Sequence, residues 1–114
     1  MTNYSVGHEA EKHAAKYLEK LGYKIIALNW RTRVCEIDIV AEKSKITYFV
    51  EVKYRNQSHQ GTGLEYVTQQ KLQQMQFAAE CWVQEQKWQG DYELSAIELF
   101  GDEFEVTNFL PNIL

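Results

Sequence analysis

Two segments rich in β-branched and aromatic residues, 34–42 and 46–54, stand only three residues apart. The intervening Lys43-Ser44-Lys45 is too short for a helical crossover, so the two segments are constrained to pair as an antiparallel hairpin. If Ser44-Lys45 forms a two-residue turn, Glu42 falls opposite Thr47 and Asp38 opposite Glu51. The hairpin is therefore the centre of the fold, and it carries charge where a central strand is expected to be apolar. Side chains alternate between faces, which puts Glu36, Asp38 and Val40 on one side and Cys35, Ile37 and Ile39 on the other. Glu51 and Lys53 share a face with Phe49.

Around the hairpin the periodicities supply the other elements. Ala10, Ala14, Tyr17, Leu18 and Leu21 recur at helical spacing across 5–22, and Gly22 stands at a C-cap position. Residues 23–29 read as a strand. A second helix runs from about Glu65 to Gln86, with Val67, Leu72, Met75, Ala79 and Trp82 inward. Two strands follow, 92–99 and 103–109, joined at Gly101-Asp102. The expectation is one α/β domain over residues 1–114, a mixed sheet of about five strands with helices packed on it.

Composition excludes several classes. The chain has 114 residues, 45% hydrophobic and 25% charged, with one Pro and six Gly, which is unlike a disordered or collagenous chain. Its longest apolar run is the four residues 25–28, so no membrane span is expected. The first twenty residues carry charges throughout and no secretory signal is expected; a cytoplasmic location is the default. Cys35 and Cys81 make neither a disulfide framework nor a zinc site, and His8, His13 and His59 lack zinc-like spacing. The net charge of −4 conceals an asymmetry: residues 1–55 hold ten Lys/Arg against seven Asp/Glu, whereas 56–114 hold two against nine. A basic first half raises the question of an anionic partner.

The carboxylates bear on that question. Directly opposed like charges destabilise a hairpin, and a hard divalent cation removes the repulsion. Asp38 and Glu51, with the Val52 carbonyl, suit Mg²⁺ or Mn²⁺. Lys53, two residues beyond Glu51, suits orientation of an attacking water and compensation of charge on a phosphoryl group. Glu11 lies at the margin of the first helix's apolar stripe and is a further carboxylate for the metal shell. Arg31, Arg33, Arg55 and Lys71 are candidates for holding phosphates. On pattern alone, a solvent-exposed sheet face with a Glu51/Lys53 pair accounts for the same residues.

The surrounding residues carry a resemblance. Ala10-Glu11-x-x-Ala14-x-x-Tyr17-Leu18, then Gly22-Tyr23, Asn29-Trp30-Arg31, Cys35-Glu36-Ile37-Asp38-Ile39-Val40 and the run from Phe49 to Arg55 together resemble the YraN-like proteins. Gly61, Val67 and Lys71 extend the match. That family is similar to archaeal Holliday-junction resolvases and to the PD-(D/E)xK nucleases. The resemblance implies a restriction-endonuclease-like three-layer fold and a nucleic-acid partner, DNA first, cut with Mg²⁺ or Mn²⁺. It implies Glu11, Asp38, Glu51 and Lys53 as site residues, with Glu36 and Arg55 in support; two-strand cleavage would suit a homodimer. The alternative is a non-catalytic nucleic-acid-binding or assembly module that keeps the fold. Ala10 and Cys35 replace glycines common in that family.

Overall fold

The computed structural model describes residues 3–56 and 67–113. Its elements follow the order α1 (Asn3–Lys20), β1 (Lys24–Arg31), β2 (Glu36–Lys43), β3 (Ile46–Arg55), α2 (Gln69–Gln86), β4 (Asp91–Phe100) and β5 (Glu105–Leu110). The strands form one sheet in sequence order, β1-β2-β3-β4-β5. Only β3 and β4 are parallel, as the α2 crossover between them requires; every other neighbouring pair is antiparallel.

Each helix covers one face. Ala14, Ala15 and Leu18 of α1 pack on Ile39, Ala41, Val50, Ile97 and Leu99. Met75, Ala78, Ala79 and Trp82 of α2 pack on Ile37, Val40, Phe49 and Leu94. The small alanines let each helix lie close to the sheet, giving a three-layer α/β/α arrangement. Trp82 meets Phe49 edge-on at 5.4 Å between ring centroids, and Trp30 packs against the same cluster.

Helix ends are fixed by local chemistry. Gly22, at φ 96°, closes α1: its N–H donates to Glu19 and that of Tyr23 to Leu18. Helix α2 starts later than the periodicity suggests. The Thr68 side chain caps it by accepting from the Lys71 N–H at 3.2 Å, so Val67 lies before the helix. Glu65, His59 and Gly61 lie outside the described residues. At its other end Lys87 takes the left-handed conformation that a glycine commonly fills.

The hairpin register is the expected one. Glu42 pairs with Thr47 and Ile39 with Val50, around Ser44 and Lys45 at φ 54° and 67°. Two successive positive φ values make a type I′ turn, whose twist suits a hairpin. The expected face alternation needs one correction. Ile37 belongs to the α2 cluster with Val40, whereas Ile39 belongs to the α1 cluster. Between the pairs Leu28–Ile39 and Trp30–Ile37, strand β1 carries Asn29 at φ 54°, while the register slips only between Ile25 and Ala27. Asp38 sits at that change of face.

Candidate active site

The β2–β3 pairing ends at Ile39–Val50, while β2 stays paired with β1 as far as Glu36. Beyond Ile39 the two hairpin strands therefore part, and α2 lies over the opening. The result is a cleft of about 520 Å³ whose walls include Glu36, Asp38 and Glu51 from the sheet and Lys71, Gln74 and Phe77 from α2.

Asp38 is the hinge of this site. Its Oδ2 accepts from the Val52 N–H at 2.8 Å, standing in for the strand partner that β3 has just lost. Burial pushes the Asp38 carboxyl up to about 8; the Glu51 carboxylate adds to the shift, and Glu11 adds further. The Val52 N–H works in the opposite direction. Glu11 is raised too, chiefly by burial, while its hydrogen bond with Asp38 lowers it. The two carboxyls thus meet in a buried setting that disfavours charge on both. Three acidic side chains from α1, β2 and β3 interact through Asp38. Among the described residues, no three His, Cys, Asp or Glu side chains are gathered closely enough to form a metal cluster by themselves.

Glu51 has a cationic partner. The Lys71 Nζ lies 2.8 Å from its Oε2, tying the start of α2 to β3. Lys71, expected to meet phosphate, is thus engaged with a carboxylate inside the cleft. Lys53 follows Glu51 on β3 but lines a neighbouring hollow with Val6, Gly7, Arg55 and Asp102, rather than the cleft itself. The Val52 amide holds Asp38, whereas its carbonyl was the expected metal donor. Arg31 and Arg33 are exposed, and the Arg31 Nη2 donates to Asn29 Oδ1 at 3.4 Å.

Arg55 also departs from expectation. Its guanidinium is only 18% exposed and bonds to Glu98 of β4, so it faces the protein rather than solvent phosphate. Glu98 is 4% exposed and was not apparent as functional from the sequence. Desolvation raises its carboxyl, but donors from Asn108, Arg55 and Thr107 outweigh that and hold it below its ordinary value. Asn108 Nδ2 and Thr107 Oγ1 each lie 2.9 Å from Glu98 Oε1. The one signal in the sequence is a carboxylate inside the run Leu94-Ser95-Ala96-Ile97-Glu98-Leu99; its register partner Lys53 becomes visible only with β3 and β4 side by side.

The family model described as "Uncharacterised protein family UPF0102" matches residues 10–106. A UPF0102 protein of Cytophaga hutchinsonii is 37% identical over 106 residues, covering 93% of this chain and 94% of its own. One from Fusobacterium nucleatum is 36% identical over 107 residues, covering 92% and 89%. One from Geobacter metallireducens reaches 44% over 85 residues, covering 75% and 70%.

Proposed function

The chain belongs to the UPF0102 family, and starting from that membership and the carboxylates of the cleft we propose that it is a PD-(D/E)xK-type, metal-dependent nuclease acting on DNA in the cytoplasm. One observation carries the reading: Asp38 and Glu51 line one cleft where β2 leaves β3 and act on each other electrostatically, with Lys53 two residues further along β3. Branched or single-stranded DNA is the expected substrate, and two-strand cleavage would use a homodimer.

The donors suit a hard divalent ion. They are carboxylate oxygens, and Asp38 is kept protonated by burial and by Glu51 beside it, a cost that a cation relieves. Asp38 and Glu51 would hold Mg²⁺ or Mn²⁺, with Glu11 and the Val52 carbonyl in support. When bound, such an ion supplies Lewis-acid polarisation of a phosphoryl oxygen. The protein's own residues do the rest. The Val52 N–H fixes Asp38 in place. Lys53 lines the adjoining hollow, and from there it would reach round to orient the attacking water and offset the negative charge that builds on phosphorus-bound oxygen. Exposed Arg31 and Arg33 hold flanking phosphates on the net-basic half of the chain. Arg55 acts from inside, by bracing β3 against β4 through Glu98.

Cleavage of junction, flap, single-stranded and duplex DNA with Mn²⁺ tests the proposal. Wild-type protein should cut at least one of them; Lys53→Ala should cut none while keeping its circular dichroism. Failure of the wild type on all four refutes the enzyme. The Lys71–Glu51 ion pair favours a second reading, a non-catalytic nucleic-acid-binding module, because it satisfies Glu51 without a metal. Calorimetric titration separates the two: the enzyme binds Mn²⁺ in a way that Glu51→Gln abolishes, and the module binds none.

A further inference from the structure

Cys35 and Cys81 are far apart in the sequence, and nothing in their spacing joins them. The fold does. Cys35 precedes β2 and packs against the cluster that holds Ala78, Ala79 and Trp82 of α2. Cys81 follows Ala78 by three residues, so it lies on the same side of that helix. The two thiols lie near enough to act on one another, both are free, and both are partly exposed. Thr32 Oγ1 lies 3.3 Å from the Cys35 sulfur, and Cys35 also lines the carboxylate cleft beside Glu36.

We propose that Cys35 and Cys81 are an oxidisable dithiol, and that their disulfide fastens α2 to the start of β2 at the wall of the carboxylate cleft. This inference stands whether or not the cleft cuts DNA. Burial pushes the Cys81 thiol up, and the adjoining Cys35 sulfur adds to the shift. Cys35, at the open cleft, is the sulfur an oxidant meets first.

With hydrogen peroxide as oxidant the chemistry balances. The Cys35 thiolate attacks one peroxide oxygen, the O–O bond breaks, and hydroxide leaves to take up the thiol proton as water. The Cys81 sulfur then attacks the sulfur of the Cys35 sulfenic acid. The S–S bond forms, the S–O bond breaks, and a second water departs with the Cys81 proton. Two thiols lose two electrons and one peroxide becomes two waters. The bridge ties the cleft's two walls together, fixing the separation of α2 from Glu36 and Asp38.

The test is peroxide titration of the full chain, followed by alkylation in denaturant and mass spectrometry. Both thiols should disappear together, the protein should lose two hydrogens and stay monomeric on a non-reducing gel, and reductant should restore both. Peptide mapping should join Cys35 to Cys81. Bridging in the native chain should outpace that in urea by about tenfold or more, because the fold holds the sulfurs together. Cys35→Ser and Cys81→Ser should each form no internal bridge. Thiols that stay alkylatable, bridges only between chains, or equal rates native and unfolded would each overturn the proposal. Wild-type mapping decides the matter even where a serine variant folds poorly.

Discussion

Replacing Asp38 with asparagine removes a carboxyl whose ionisation burial opposes strongly, and its effect has a calculable pH dependence. Burial and the facing Glu51 raise the Asp38 carboxyl from an ordinary 3.8 to about 8. Between those values the native chain holds a proton that the unfolded chain has released. Wild-type stability therefore falls as pH rises through this window and levels off above it. The amide of the Asp38→Asn variant bears no such penalty, and its side-chain oxygen still accepts from the Val52 N–H. Three pH units, from 5 to 8, at 1.36 kcal/mol each set a ceiling of about 4 kcal/mol on the change in the difference between the two proteins. Partial solvent access and adjustment of Glu51 reduce this to about 2 kcal/mol. Urea titration in chelator at pH 5 and pH 9 measures it: Asp38→Asn should gain about 1 M in midpoint relative to wild type between the two pH values. Mn²⁺ at pH 9 should shift the wild type back upward and leave the variant unmoved. An equal difference at both pH values, or a wild type that gains on the variant at pH 9, refutes the placement of Asp38 as a buried carboxyl facing Glu51.

The remaining predictions concern its neighbours. Glu98→Ala leaves the Arg55 guanidinium without its buried carboxylate and should cost about 3–5 kcal/mol in urea unfolding. In the wild type the lowered Glu98 carboxyl contributes stability that is present above its unfolded value and lost as pH falls through the folded one, so Glu98→Gln should flatten the acid limb of the stability curve. Lys71→Ala should tighten Mn²⁺ binding in calorimetry, because the ammonium now 2.8 Å from Glu51 competes with the ion; unchanged or weaker binding would count against a metal at that carboxylate. Replacing Ser44-Lys45 with Asn-Gly should raise stability by about 0.5–1 kcal/mol, since both positions hold positive φ, and a loss of stability would argue against the type I′ turn.

Much of the fold is legible in local pattern because local physics makes it. The three-residue gap forces the hairpin, the turn length sets its register, and Gly22 ends the first helix where its backbone freedom allows. Asp38 and Glu51 could be brought opposite each other by counting from a turn. Apart from the start of α2, which the local Thr68 cap sets, the departures depend on what lies beside a strand rather than along it. Ile37 packs under α2 and Ile39 under α1, which strand alternation does not foresee. Arg55 looks like a phosphate contact until β4 supplies Glu98, and Lys71 looks like another until the α2 crossover lowers it onto Glu51.

By itself the sequence determined an α/β chain with five strands, two amphipathic helices, a hairpin of fixed register and a set of charges embedded in it. These follow from periodicity and turn length, which act over a few residues. Only the tertiary structure decided where β2 separates from β3, which carboxyl is buried beside two others, which cations are already engaged and which two cysteines come near each other. Those depend on burial and on contacts between residues far apart in the chain, and both the dielectric around Asp38 and the cross-sheet partner of Arg55 exist only once the layers have closed.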